Sequence, residues 1–281
     1  MKMNPIYNRE MKAGSRSSRL AVVLTVFNTA LAIVALTSMW VIIFRVRETG
    51  QIRYSVFLSI FRYVTWIEFA MIILIMPALT AGSLSGERER RTLDLVMTTL
   101  MRPSDIILGK LMSALVNVFL LVISGAPVIA LVFVYGGVLP VDLALLFLCY
   151  FTAALLSGSI GMFFSAAATR TASAMTASYA VLGILIAGTV GLNAILSGLT
   201  AATRGSFLLL LASPLSTFYA SVQAMTGESS AVRLFAEGFG VNGLGWLAER
   251  WIQVGLTVQV LISVLLLFFA ARALKPKTGK N

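Results

Sequence analysis

The sequence contains no histidine and only one cysteine, Cys149, among its 281 residues. Without imidazole there can be no Ser-His or Cys-His nucleophile pair, no HExxH zinc site and no histidine proton relay. A single cysteine cannot form an internal disulfide, and it gives no firm indication of redox compartment. The 11 acidic residues are also too few to predict a carboxylate pair inside an apolar core. These absences weigh against a membrane enzyme.

Charge is scarce as well: 12% of the residues are charged and 58% are apolar, whereas average proteins have about 25% and about 45–50%. We predict an all-α polytopic membrane protein with one transmembrane domain over 1–281. The first apolar run follows a polar stretch and is long enough to span, so we expect no cleavable signal. Six segments are long and apolar enough to cross a bilayer: 20–44, 64–84, 110–135, 143–168, 172–196 and 251–271.

The positive charges predict the orientation. Of the 22 Lys and Arg residues, 15 fall on the side that holds both chain ends and seven on the other. The positive-inside rule therefore places both termini in the cytoplasm of a plasma-membrane protein. The net charge of +11 is then a mark of topology. A nucleic-acid partner is not expected, because no folded basic face is available.

The segments between the spans differ in character. Residues 1–19 suit an interfacial elbow helix in the cytoplasmic headgroup layer. Tyr63 and Trp66 are predicted to be interfacial anchors, which leaves Glu68 as the acid near or within the core. Residues 197–250 are too polar to span and predict short re-entrant helices on the exterior side.

The most informative stretch runs from 82 to 110. Its apolar stripe falls at helical spacing, on Leu93, Val96, Met97 and Leu100. Glu87 and Arg91 are four apart and predict an ion pair. We therefore predict an amphipathic helix over about 87–101 that Pro103 ends, with Ser104 or Asp105 capping the next helix. The alternative from the residues alone is a solvated loop held by charge pairs.

This stretch resembles the permease subunits of type-2 ATP-binding-cassette (ABC) exporters. The likeness rests on Gly-Glu-Arg-Glu-Arg-Arg-Thr-Leu-Asp-Leu-Val-Met-Thr-Thr (86–99), with Pro-Ala-Leu-Thr-Ala-Gly (77–82) before it and Ile-Leu-Gly-Lys (107–110) after it. The layout of six spans, basic elbow, charged helix and exterior segment is also similar, although other six-span proteins share such a layout.

The resemblance implies that the charged helix is a coupling helix that docks on a cytoplasmic ATPase. The residues implied at or near that contact are Glu87, Glu89, Arg90, Arg91, Thr92, Leu93, Asp94, Leu95 and Met97. A second, smaller cytoplasmic contact is implied between spans four and five, at Thr169, Arg170 and Thr171. The second match rests on position more than on motif.

The chain has no phosphate-binding loop of its own. Gly109-Lys110 and Gly279-Lys280 lack both the earlier glycine and the following hydroxyl of a P-loop. We therefore expect no cofactor, metal or catalytic residue in this chain, with ATP and Mg bound by the partner ATPase. A second six-span permease, as a copy or a paralogue, would complete the usual twelve-span assembly.

The sequence leaves open the role of the small residues and the choice between two functions. Small residues four apart in span four (Ala154, Gly158) and span five (Gly183, Ala187, Gly191) predict close helix packing, either within one subunit or at a dimer seam or cargo path. The alternative function is a stand-alone ion- or proton-coupled secondary transporter, for which Glu68 is almost the only intramembrane candidate. The apolar, Phe- and Met-rich spans suit an amphipathic peptide, lipid or drug as cargo.

Overall fold

The protein is described by a computed structural model over residues 18–49, 54–93, 102–136, 139–192, 195, 210–227 and 250–274. Among these residues the chain is almost entirely helical, with no strand. Seven helices follow one another: α1 Ser18–Thr49, α2 Tyr54–Glu89, α3 Pro103–Gly136, α4 Pro140–Ala167, α5 Thr171–Leu192, α6 Pro214–Met225 and α7 Trp251–Ala273.

Six of these helices are long and apolar enough to cross a membrane: α1 to α5 and α7. The prediction of a six-span, all-helical, multi-pass membrane protein is confirmed to that extent. Each spanning helix extends beyond its predicted span at one end or at both, most clearly α2, which begins ten residues before 64 and ends five residues after 84. Polar residues therefore continue the helix beyond the apolar run.

Proline and glycine positions explain several local details. Pro140 begins α4, where its missing N–H costs nothing, and the Asp142 carboxylate accepts a hydrogen bond from the Leu139 amide at 3.1 Å. Pro77 and Pro127 lie inside α2 and α3, which membrane helices tolerate because neighbouring groups satisfy the freed carbonyl oxygen atoms. In α5, residues Ile184–Gly188 form a π-helical turn.

The centre of the molecule is α2 packed on α3 and α4. A Cβ built at Gly161 of α4 would collide with Thr80 Oγ1 of α2, and one at Gly158 would collide with Met76 Cε. The span-four glycines thus serve close packing within this chain, because the Thr80 and Met76 side chains occupy the space that a Cβ would need. Around Gly183 of α5, by contrast, a Cβ would have no atom of the described residues within 4 Å.

Helices α1 and α5 lie at the edge of this packing. In the most apolar window of each, 11% of the residues are buried, against 61% for α3 and for α4. Both helices therefore present most of their apolar surface outward among the described residues.

The short helix α6 is buried against α2, α4 and α7. Gln259 of α7 donates to the Thr217 hydroxyl at 2.7 Å, and Cys149 Sγ of α4 lies 3.2 Å from Ser221 Oγ. Polar contacts of this kind satisfy buried groups in a short helix. Of the short re-entrant helices predicted within 197–250, α6 is the one that the described residues show.

Several sequence predictions are wrong or concern residues outside the described ranges. The elbow over 1–19 falls almost wholly outside the described residues, as do 94–101 of the charged segment. The predicted start of the charged helix at 87 is wrong, because α2 continues without a break to Glu89. Pro103 begins α3, so Ser104 and Asp105 lie in its first turn and do not cap it.

Two aromatic predictions have different outcomes. Tyr63 is 59% exposed, as an interfacial anchor should be. Trp66 instead packs edge-on against Phe218 of α6, with ring centroids 5.1 Å apart. Trp66 is therefore partly buried in the helix bundle, and its anchor role stays a prediction.

Candidate functional site

Four helix ends meet where α2 ends, α3 begins, α4 ends and α5 begins. We call this region the charged junction and define it as residues 83–93, 110 and 166–171. It contains the start of the stretch that resembles a coupling helix and the whole of the predicted second contact. Glu87, Arg88 and Glu89 make its principal contacts.

Glu87 ties α2 to α3. Its Oε1 accepts a hydrogen bond from Lys110 Nζ at 2.8 Å, and the same ammonium group donates to the Ser83 carbonyl oxygen at 3.2 Å. The side chains of Lys110 and Glu87 are 7% and 19% exposed, respectively. A pair this well buried costs much to break, because one charge would remain without its partner. The predicted Glu87–Arg91 pair is wrong, since Glu87 takes Lys110 instead.

Arg88 ties α2 to the end of α4. Its Nη1 donates to the Ala168 carbonyl oxygen at 2.6 Å and its Nη2 to the Ala166 carbonyl oxygen at 2.9 Å. The last carbonyl groups of a helix have no partner within the helix, and they carry the negative end of its dipole. A guanidinium with two parallel donors suits this position.

Glu89 ties α2 to the start of α5. Its Oε2 accepts from the Thr171 hydroxyl at 2.6 Å and from the Thr171 amide at 3.2 Å. These bonds, and the nearby Arg170 and Arg90 charges, all favour the ionised carboxylate. The two predicted contact segments therefore touch each other directly.

Three consecutive residues reach three different helices because α-helical geometry separates successive side chains by about 100°. Three adjacent charged residues at the end of a central helix can therefore each contact a different neighbouring helix. Glu87 holds α3, Arg88 holds α4 and Glu89 holds α5.

The chain turns sharply just after these contacts. The Thr92 amide donates to the Glu87 carbonyl oxygen at 2.9 Å, and the Arg91 amide donates to the Arg88 carbonyl oxygen at 3.0 Å. This pair of bonds is the Schellman motif, whose αL position usually holds glycine. Here that position is Arg91, with φ at 57°. A non-glycine residue in αL stores strain.

The side chains after the turn are differently placed from those before it. Arg90, Arg91 and Thr92 are exposed, and Arg170 is exposed beside them, whereas Leu93 is 8% exposed. The exposed set can reach a partner, whereas Glu87 is engaged within the chain. Asp94, Leu95 and Met97 lie outside the described residues.

The sequence analysis missed two members of the junction. Arg88 was left out of the predicted contact set, and Lys110 was treated as the edge of a loop. The available signal was the run of three charges that ends a long apolar helix, because a buried helix end needs partners for each charge. The acceptors of Arg88, however, are carbonyl groups far along the chain, at Ala166 and Ala168, and Lys110 comes from the following helix.

Comparison with known proteins adds no family assignment. No protein-family model matches the chain, and no curated protein matches it. Among the described residues, no three His, Cys, Asp or Glu side chains lie together as metal ligands would.

Proposed function

We propose that the protein is the membrane permease subunit of an ATP-driven ABC exporter and that the charged junction is its coupling site for a separate ATPase. The observation that carries this proposal is the contact between Glu89 and Thr171. It joins the two segments that the family resemblance implies as ATPase contacts, although 82 residues separate them.

In the proposed mechanism, the junction transmits movement of the ATPase to the membrane helices. ATP binding closes the partner ATPases, and the segment after Glu89 moves with them. Because Glu87, Arg88 and Glu89 hold three neighbouring helices, the movement reaches α3, α4 and α5 together. The free-energy difference between the two transport states then comes from nucleotide, which binds one state of the ATPase more tightly than the other.

The assembly and location belong to the same proposal. A second six-span chain, as a copy or a paralogue, completes the path, and both termini face the cytoplasm of the plasma membrane. The open surroundings of Gly183 and Gly191 on α5 support a helix–helix contact with that second chain. The cargo class proposed from composition is an amphipathic peptide, lipid or drug.

The test uses the exposed residues, because replacing the engaged ones would disturb the fold. The triple variant Arg90→Ala, Arg91→Ala and Arg170→Ala is co-expressed with an ABC ATPase subunit that co-purifies with the wild-type chain and is stimulated by it. We expect the variant permease to fold and insert normally and to lose most of its stimulation of ATPase activity. Arg272→Ala is the matched control: it is an exposed arginine at the end of α7, over the Phe268 ring at 4.8 Å.

The expected result is a loss confined to the triple variant. Normal stimulation by the triple variant would refute the coupling role of the junction. An equal loss in the Arg272→Ala control would show a general effect of positive charge, and it would refute the assignment to this site.

A gradient-driven secondary transporter is the second candidate. The observation in its favour is the complete burial of Glu68, at 0% exposure, because buried acids mark ion pathways. Between the polar ends of the described spans, however, Glu68 is the only acidic residue. Transport by the purified chain in liposomes, driven by a gradient without nucleotide, would favour this candidate.

A further inference from the structure

Ser165 lies near the end of α4, and its side chain contacts the backbone of α2. The hydroxyl oxygen accepts a hydrogen bond from the Leu84 amide at 2.9 Å and another from the Ser85 amide at 3.0 Å. Ser165 is fully buried, and these two amides are its hydrogen-bond partners among the described residues. Two donors from a neighbouring helix therefore converge on one buried oxygen atom.

The two amides belong to the interior of α2, where an α-helix directs each N–H at the carbonyl oxygen four residues earlier. The Thr80 carbonyl oxygen, which the Leu84 amide would serve, also accepts the Ser83 hydroxyl at 2.7 Å. The Ala81 carbonyl oxygen, which the Ser85 amide would serve, also accepts the Ser85 hydroxyl at 2.7 Å. The amides can therefore turn toward α4 without leaving a buried carbonyl oxygen unsatisfied.

The two helices approach closely at this level and are joined a second time one turn later. A Cβ built at Gly161 of α4 would lie 3.2 Å from the Ala81 amide nitrogen of α2. One turn beyond Ser165, the carbonyl groups at 166 and 168 accept the two donors of Arg88. Because both helices run toward the charged junction, the end of α2 is attached to the end of α4 at two successive points.

Attachment at two points fixes the rotation of α2 about its own axis, whereas one point would leave the helix free to turn. This rotation matters because successive side chains on a helix point about 100° apart. Glu87, Arg88 and Glu89 therefore keep their contacts with three different helices only while that rotation is kept.

Glycines mark the face that α2 turns toward the first turn of α5. A Cβ built at Gly82 would lie 3.3 Å from Thr171 Cγ2, and one at Gly86 would lie 3.8 Å from Thr171 Oγ1. A rotated α2 would bring larger side chains against Thr171 and would carry the Glu89 carboxylate away from it.

We propose that Ser165 is a positioning residue of the charged junction. By holding two amides of α2, it keeps that helix in the rotation at which Glu89 reaches Thr171 and the segment after Glu89 faces the ATPase. Ser165 acts through α2, since its own hydrogen bonds go to neither Glu89 nor Thr171. This inference rests on the proposed coupling function, to which it adds a buried residue outside the docking surface.

The test compares two serine-to-alanine variants of the same helix in lipid nanodiscs, without the ATPase. Ser165→Ala removes the acceptor of the two α2 amides. Ser159→Ala is the matched control, because Ser159 is also fully buried but donates to the Leu156 carbonyl oxygen at 2.8 Å, within α4. Hydrogen–deuterium exchange is read on a peptide that covers 169–174, in which the Thr171 amide donates to Glu89 at 3.2 Å.

We expect Ser165→Ala to raise the exchange rate of the Thr171 amide about fivefold, the factor for loss of one ordinary hydrogen bond. Ser159→Ala should leave that rate unchanged. A purely local role of Ser165 would expose the amides at 84 and 85 and no others, so the response of Thr171 is specific to positioning.

A second measurement uses the ABC ATPase that co-purifies with the wild-type chain. Ser165→Ala should stimulate this ATPase about fivefold less than Ser159→Ala does, because the junction is no longer held in place. Neither variant changes an exposed residue, so a difference between them cannot come from direct contact with the ATPase.

Equal exchange of the Thr171 amide in the two variants would overturn the proposal. An increase spread evenly over all helices would do so too, since it indicates global destabilisation, and full stimulation by Ser165→Ala would rule out its part in coupling. A wild-type chain that stimulates no ABC ATPase would instead refute the proposed function. The exchange experiment contains no ATPase, so it decides the positioning of the junction by itself.

Discussion

Replacing Arg88 with alanine removes the clamp that holds the end of α4. The lost interactions are two hydrogen bonds from a charged donor, to the Ala168 and Ala166 carbonyl oxygens at 2.6 and 2.9 Å. Such bonds contribute about 1.5–3 kcal/mol each. Because the Arg88 side chain is partly exposed, we take the lower value for each bond. The sum is about 3 kcal/mol, which corresponds to a roughly 150-fold change in a local opening equilibrium.

The assay is hydrogen–deuterium exchange of the chain in nanodiscs, read on a peptide that covers 166–174. The Ala168 amide donates to Phe164 at 2.8 Å and the Thr171 amide donates to Glu89 at 3.2 Å, so both are protected while the loop is clamped. We expect Arg88→Ala to raise their exchange rates by roughly two orders of magnitude. Arg88→Lys, which lacks the second donor arm, should give an intermediate increase.

The control for this experiment is Arg272→Ala, which removes an exposed arginine elsewhere and should leave the 166–174 peptide unchanged. Unchanged exchange in Arg88→Ala would refute the clamp. An increase spread evenly over all helices would also refute it, because that result indicates global destabilisation.

Three further predictions concern strain, packing and charge. Arg91→Gly should stabilise the chain by about 1 kcal/mol in thermal or denaturant unfolding, because glycine adopts αL without strain; a loss of stability would contradict the Schellman geometry. Gly161→Ala should cost about 1–3 kcal/mol through overpacking, whereas Gly183→Ala should be neutral or slightly stabilising in the same measurement; equal costs would refute the packing difference. Lys110→Met should cost about 3–5 kcal/mol, and adding Glu87→Gln should recover part of that loss in a double-mutant cycle; additive costs would refute the ion pair.

The spans could be predicted from sequence because each is determined by a local property. Twenty apolar residues must form a helix in a bilayer, whatever lies beside them. Helix ends were harder to place. The α2 helix continues to Glu89 because its last charged residues find partners on other helices, and those partners come from 110 and from 166–171. Nothing within 82–93 alone reveals these long-range contacts.

The charge pairs illustrate the same limit. Spacing of i and i+4 predicted Glu87 with Arg91, which is the favoured pair on an isolated helix. In the structure the helix turns at Arg91, whose φ of 57° directs the chain away. The tertiary partner Lys110 is buried with Glu87, and a buried pair is much stronger than an exposed one. Local reasoning therefore chose the weaker of two possible partners.

The small residues show where helices of this chain pack closely on one another. Small residues four apart occur in both α4 and α5, so the sequence alone could not separate packing within the subunit from a seam between subunits. The structure separates them for α4, where Gly158 and Gly161 face α2 closely. The open surroundings of Gly183 leave α5 available to another chain.

The junction determines which helices can move together. Glu87, Arg88 and Glu89 join α3, α4 and α5 to the end of α2, so these four helices should move as a block if the proposed ATPase pulls on the junction. Helix α1 has no charged tie of this kind among the described contacts, and a side-chain hydrogen bond that joins it to the block runs from Asn28 to the Ser124 hydroxyl at 3.1 Å. Under the proposed function, we therefore expect ATP-driven movement to shift the block relative to α1. A movement of this kind would couple nucleotide binding to cargo access.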